Sequence, residues 1–179
     1  MNTFVVLLRA IGPPTHKILT MSRLEALCQE AGLPQTRNVL ATGNLVVVTP
    51  WSREQVVQTL ETLLEREGLK TVVLIRTLEQ LEAIVRANPL PLAAQRDPSG
   101  LQVTFLTERP TDEALERLRA RARTETLERV CDEICIDYGG RISESRLTAA
   151  VVERLLGASS TARNWNTVLR LLGVARAMR

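Results

Sequence analysis

The residues best suited to chemistry cluster late in the chain, in the run Ser160-Thr161-Ala162-Arg163-Asn164-Trp165-Asn166-Thr167-Val168-Leu169-Arg170. Read as a helix, the run has Thr161 as its N-cap, with the hydroxyl accepting from an early backbone N–H. Trp165, Val168, Leu169 and Leu172 then fall at the i, i+3, i+4, i+7 spacing of one buried stripe. At about 100° per residue, Arg163, Asn166, Thr167 and Arg170 share the opposite face, near the positive end of the helix macrodipole. Free N–H groups, a guanidinium fork and carboxamides at a helix start are the ingredients of a phosphate or carboxylate site. An amphipathic helix that simply closes a fold shows the same pattern, and the sequence leaves both readings open.

Nothing elsewhere spells out a reaction. There is no Gly-x-Ser-x-Gly elbow, no glycine-rich loop ending in Lys-Ser, and no paired-histidine metal sequence. His16 is the single histidine and would have to serve any Ser-His-Asp set. It could join Cys28, Cys131 and Cys135 only as a fourth metal ligand, and those four positions do not carry the spacing of a zinc site. No catalytic residue, metal or cofactor is therefore expected. Cys28 reads as a core residue, while Cys131 and Cys135 flank a turn at Asp132-Glu133 and are expected to face each other across it as thiols.

The 179 residues, 45% apolar and 24% charged, describe a globular protein with ample core. The apolar run 4–8 is broken by Arg9, far short of the roughly 20 residues of a membrane span. A cytoplasmic location without membrane attachment is expected. The net charge of +3 is unevenly laid out, since residues 139–179 hold seven arginines against Glu144 and Glu153, a local +5. That basic end suits phosphate contacts. Base stacking is a poorer fit, because Phe4, Phe105, Tyr138, Trp51 and Trp165 are the only aromatic residues and the strands of the first half supply only Phe4.

The elements that must position these residues follow from periodicity and punctuation. Residues 3–8 read as a strand. A helix opens at the capping box Ser22-x-x-Glu25 and stops at Gly32, and a hairpin pairs 37–40 with 45–48, Gly43 or Asn44 taking the positive φ of the turn. A second capping box, Ser52-x-x-Gln55, opens a helix ending near Gly68, and 71–75 is a strand. The pattern then starts again. Thr77-x-x-Gln80 caps a helix stopped by Asn88-Pro89, a proline-containing loop runs to Gly100, 101–106 is a strand, and 111–123 is a helix. A hairpin of 126–131 with 134–138, a helix over 145–156 stopped by Gly157, and the segment capped at Thr161 complete the chain.

The order strand, helix, strand, strand, helix, strand, met twice, predicts an α+β fold of duplicated ferredoxin-like (split β-α-β) halves, 1–76 and 77–179. Strands such as Val5-Val6-Leu7-Leu8 and Val46-Val47-Val48 are apolar on both faces, so something must cover the second face of the sheet. The other half is the first expectation, giving one compact body, and a homodimer the second.

Several short motifs carry a resemblance: Leu7-Leu8-Arg9 at the end of the first strand, Thr42-Gly43-Asn44 in the hairpin turn, Asn88-Pro89, Ser145-Arg146-Leu147-Thr148, and Thr161-Ala162-Arg163-Asn164-Trp165-Asn166-Thr167. In these the chain resembles the bacterial family known as domain of unknown function 1697. The resemblance implies the duplicated ferredoxin-like architecture and brings no activity with it. One departure stands out: where that family has a glycine-rich loop after the first strand, this chain reads Ala10-Ile11-Gly12-Pro13-Pro14-Thr15-His16-Lys17. Two prolines remove N–H donors there and weaken any amide-lined phosphate cradle, leaving His16 and Lys17 as side-chain donors.

The expected function is that of a non-catalytic binding protein for an anionic, phosphate-bearing ligand or nucleic-acid backbone, with Arg9, Asn44, Arg146, Arg163, Asn164 and Asn166 as its contacts. The alternatives are a structural or protein-interaction module with no small ligand, and a small enzyme lacking a recognisable motif.

Overall fold

The computed structural model describes residues 1–11, 15, 17–140 and 142–179. The Gly12-Pro13-Pro14 loop, His16 and Arg141 lie outside the described residues. The chain is a mixed α+β protein that divides into two units, Met1–Glu82 with Arg170–Arg179, and Ala83–Leu169.

The first unit holds β1 (Asn2–Leu8), α1 (Met21–Glu30), β2 (Gln35–Asn38), β3 (Asn44–Thr49), α2 (Arg53–Arg66) and β4 (Val73–Thr77). Its four strands form one antiparallel sheet in the order β2-β3-β1-β4. Strand alternation sends Phe4, Val6, Leu8, Leu45 and Val47 into a core shared with Leu24 and Cys28 of α1 and Val56, Leu60 and Leu64 of α2. Val5, Leu7 and Val46, on the other face, are fully buried as well.

Local signals set several boundaries. The Ser52 hydroxyl accepts from the Gln55 N–H while the Gln55 side chain accepts from the Ser52 N–H, the reciprocal pair expected from the sequence. The start of α1 differs from expectation. Its cap is Thr20, whose hydroxyl accepts from the Arg23 N–H, and not Ser22. Glu25 is engaged elsewhere, accepting from the backbone N–H and the side-chain amide of Asn38 at 2.7 and 2.6 Å. In the β2–β3 turn Gly43 takes φ +72°, and a Cβ there would lie 2.8 Å from the Ile11 Cβ and 3.1 Å from the Leu8 Cβ, so glycine is required twice over.

The second unit holds α4 (Pro91–Arg96), β5 (Leu101–Leu106), α5 (Asp112–Arg121), β6 (Thr126–Val130), β7 (Glu133–Asp137), a 3-10 turn (Ile142–Glu144), α6 (Ala149–Leu156) and β8 (Ser160–Asn164). Its sheet is antiparallel in the order β6-β7-β5-β8. Leu106, Leu118, Ile134, Ile136 and Val152 belong to its core. Two further helices span the division between the units in sequence: α3 (Leu78–Arg86), opened by the reciprocal Thr77 and Gln80 hydrogen bonds, and α7 (Trp165–Met178).

Four further details correct the sequence reading. Residues 91–96 are helical where a loop was expected; Pro91 at the first turn suits a helix start because its missing N–H would be unpaired there anyway. Ser145 precedes α6, whose cap is Thr148. Cys131 and Cys135 do not face each other: the β6–β7 turn is Cys131-Asp132, Cys131 is exposed at φ +53°, and Cys135 is buried opposite Glu128. The last correction bears on function. The segment expected to be a helix capped at Thr161 is a strand through Asn164, because Thr161 and Ala162 pair with Phe105 and Thr104 of β5.

Candidate functional site

The strand-to-helix junction at β8 and α7 gives each residue of 161–167 a structural task. Thr161 and Arg163 lie on the same face of β8, as period-two alternation requires, and both are buried while Ala162 is exposed. The Arg163 guanidinium Nη1 donates to the Thr161 hydroxyl at 2.6 Å and to the Ala162 carbonyl at 2.8 Å. Burial disfavours its charged form and pulls its pKa down to about 10, which still leaves it cationic at neutral pH.

Asn164 is where the helix is capped, its side-chain oxygen accepting from the Thr167 N–H at 2.9 Å. Trp165 is buried and its backbone N–H donates to the Pro98 carbonyl; Asn166 is exposed and its carboxamide donates to the Ser99 hydroxyl at 3.3 Å. The buried stripe of α7 is Trp165, Val168, Leu171, Leu172 and Ala175, and Leu169, expected inside, is 43% exposed. Shifting the helix start from Thr161 to Trp165 removes Arg163 from the helix and from the polar face drawn for it.

The other expected contact residues are placed as follows. Arg9 follows β1, its N–H donating to the Val72 carbonyl at 3.1 Å and its carbonyl accepting from the Thr71 hydroxyl. Asn44 is fully buried and opposite Leu7; its carboxamide donates to the Val39 carbonyl and the Thr42 hydroxyl, both at 3.0 Å. Both belong to the first unit, whereas Arg146, Arg163, Asn164 and Asn166 belong to the second.

Arg146 is exposed and lines a cleft of 220 Å³ with Arg123, Thr124, Glu125, Glu144 and Ser145. The cleft is built by the loop after α5 and the turn before α6. Glu125 organises it, accepting from the N–H groups of Arg123 and Thr124 at 2.8 and 3.1 Å and from the Ser145 hydroxyl. Partial burial opposes its charge, but the hydrogen bonds from Ser145 and from the backbone of Arg123, Glu125 and Thr124 outweigh that and hold its carboxyl down at about 2. Ser145 in turn accepts from the Leu147 N–H at 3.0 Å. The carboxylate is thus committed to its own loop. Arg123 and Arg146 make no side-chain hydrogen bond or ion pair with any described residue. Sequence reasoning missed Arg123; it sits in a charged stretch with five other arginines between 109 and 129, and only the coordinates show which of them lack partners.

Elsewhere in this unit Arg119 pairs with Glu116 and Glu128, and Arg129 with Asp112. Among the described residues no group of three or more His, Cys, Asp or Glu side chains is placed to hold a metal ion, and no helix is long and apolar enough to cross a membrane.

A family model described as protein of unknown function (DUF1697) matches residues 1–134, which stops short of the 161–167 segment. Among solved structures the chain is similar to a conserved bacterial protein from Streptococcus pneumoniae, at 21% identity and a TM-score of 0.76, over 98% of this chain and 99% of that one. This likeness is one of fold. No curated protein matches the chain. With three quarters of its length under the family model, the chain belongs to the DUF1697 family of proteins of unknown function.

Proposed function

We propose that the protein is a cytoplasmic, non-catalytic binding protein for a phosphate-bearing ligand, and that the phosphate is taken between Arg123 and Arg146. One observation carries the reading: two guanidinium groups without described partners line the same cleft, while Glu125, one of its two carboxylates, accepts hydrogen bonds from its own loop and from Ser145. A cation left unpaired beside a concave surface is a ready acceptor for an anion, and the planar fork of arginine matches phosphate geometry. The group recognised is the phosphate itself, borne by a small monoester or by a nucleic-acid backbone. None of Arg9, Asn44, Arg163, Asn164 and Asn166 lines this cleft, and this reading assigns the phosphate to none of them.

The test is a thermal-shift and titration series with inorganic phosphate, a sugar phosphate and a single-stranded oligonucleotide, each across a range of salt. Stabilisation by the phosphates that is lost in Arg123→Ala/Arg146→Ala supports the reading. A response confined to the oligonucleotide and steeply salt-dependent points to a backbone ligand. No response from any of the three leaves the structural-module alternative, which the internal hydrogen bonds of Asn44, Arg163 and Asn164 favour.

As to ancestry, we read the two sheets as ferredoxin-like halves, 1–76 and 77–179, duplicated within one chain. The support is that each unit runs strand, helix, strand, strand, helix, strand, and that the strand orders β2-β3-β1-β4 and β6-β7-β5-β8 correspond position for position.

A further inference from the structure

A second cleft in the Ala83–Leu169 unit, of 450 Å³, is lined by Asp97, Ser99, Gly100, Gly140, Ile142 and Ser143. It differs in chemistry from the arginine cleft. Its described lining holds no basic side chain, and its single charge is the Asp97 carboxylate.

The two oxygens of that carboxylate have different situations. Oδ1 accepts from the Ser99 N–H at 3.1 Å and so holds the turn after α4. Oδ2 accepts no hydrogen bond from a described residue. Two glycines make room for it: a Cβ on Gly100 would lie 2.4 Å from Oδ2, and one on Gly140 would lie 3.5 Å away. The Gly140 N–H, 3.2 Å from that same Gly100 position, donates to no described backbone or side-chain group. Ser99 accepts from Asn166 and keeps its own O–H to give; Ser143 has no described partner at all. Ile142, 41% exposed, adds an apolar surface.

A carboxylate oxygen and an amide N–H that no described residue engages, with two hydroxyls that can donate or accept, form an alternating set. Neighbouring hydroxyl groups on a carbon skeleton match such a set, since each one donates and accepts, and the C–H face of the same skeleton suits an exposed isoleucine.

We propose that this cleft is a binding site for a small, polyhydroxylated ligand of monosaccharide size. Asp97 and the Gly140 N–H are its anchors, Ser99 and Ser143 its adaptable contacts, and Asn166 a positioning residue that acts through Ser99. The site is separate from the arginine cleft and stands or falls independently of it.

The experiment is saturation-transfer NMR and calorimetric titration of the full chain with a panel of glucose, ribose, myo-inositol and glycerol. At least one sugar or cyclitol binds saturably. Asp97→Asn keeps an oxygen for the Ser99 N–H but turns the free acceptor into a donor, and weakens that binding by about tenfold or more. Ser143→Ala, at an exposed position, weakens it by about threefold with an unchanged melting temperature. Arg123→Ala/Arg146→Ala leaves it unaltered. The proposal is overturned if no member of the panel binds saturably, or if a bound sugar is held equally well by Asp97→Asn and Ser143→Ala.

Discussion

Arg163 donates to the hydroxyl of Thr161, two residues earlier on the same strand, at 2.6 Å, and both residues stand buried on the edge strand of the second sheet. Truncating Arg163 leaves the Thr161 hydroxyl and the Ala162 carbonyl without this donor and empties part of a buried site. Arg163→Ala should cost about 2–3 kcal/mol in denaturant unfolding, with Arg163→Lys recovering part of the loss. Phosphate binding at the arginine cleft should be unchanged by Arg163→Lys. A fully stable Arg163→Ala protein would show that the guanidinium is not structural.

The cap at Asn164 gives a second prediction. Its side chain accepts from the Thr167 N–H, so Asn164→Ala should destabilise by about 1 kcal/mol while Asn164→Asp or Asn164→Ser stays near wild type. Thr161→Ser, at the position expected from sequence alone to be the cap, serves as the comparison and should leave the helix intact, its hydroxyl still available to Arg163.

Much of this fold was legible because the signals were local. The boxes at Ser52 and Gln55 and at Thr77 and Gln80 close on themselves within four residues, and both form as expected. The box at Ser22 and Glu25 has the same spelling but fails, since Asn38, thirteen residues away, takes the Glu25 carboxylate. Thr161 was misread for a related reason. Its extended conformation is imposed by β5, more than fifty residues earlier in the chain, and an equally good cap at Asn164 starts the helix three residues later. The six-residue α4 has no side-chain cap hydrogen bond and so left no mark beyond Pro91. Of the candidate site, Arg146 could be singled out by its motif, but the absence of partners at Arg123 is a property of the folded loop and has no sequence signature.

Glu125 should leave an imprint on acid stability. Its carboxyl is held at about 2 in the folded protein, below the ordinary carboxylate range. A depressed folded pKa contributes stability that is complete above the unfolded value near 4.5 and is lost as the pH falls from there to about 2. Glu125→Gln should therefore flatten the stability profile between those limits and loosen the Ser145 turn. An acid profile identical to wild type would contradict the hydrogen bonding assigned to Glu125.

The three cysteines should separate by reactivity. Burial pushes the Cys28 and Cys135 thiols up to about 12, whereas Cys131 is exposed at the hairpin tip. A thiol reagent at neutral pH should modify one group per chain in the native protein and three after unfolding, with Cys131→Ser abolishing the native reaction. Rapid modification of two or more native thiols would show that Cys28 or Cys135 is not buried as described.

The most direct test of the proposed function is a phosphate titration followed by amide chemical shifts in wild type and in Arg123→Ala/Arg146→Ala. The account predicts saturable shifts concentrated at residues 123–125 and 144–147, weakened by added salt and absent from the double variant, whose melting temperature stays near that of wild type. Shifts that never saturate, or that persist unchanged when both arginines are gone, would contradict it.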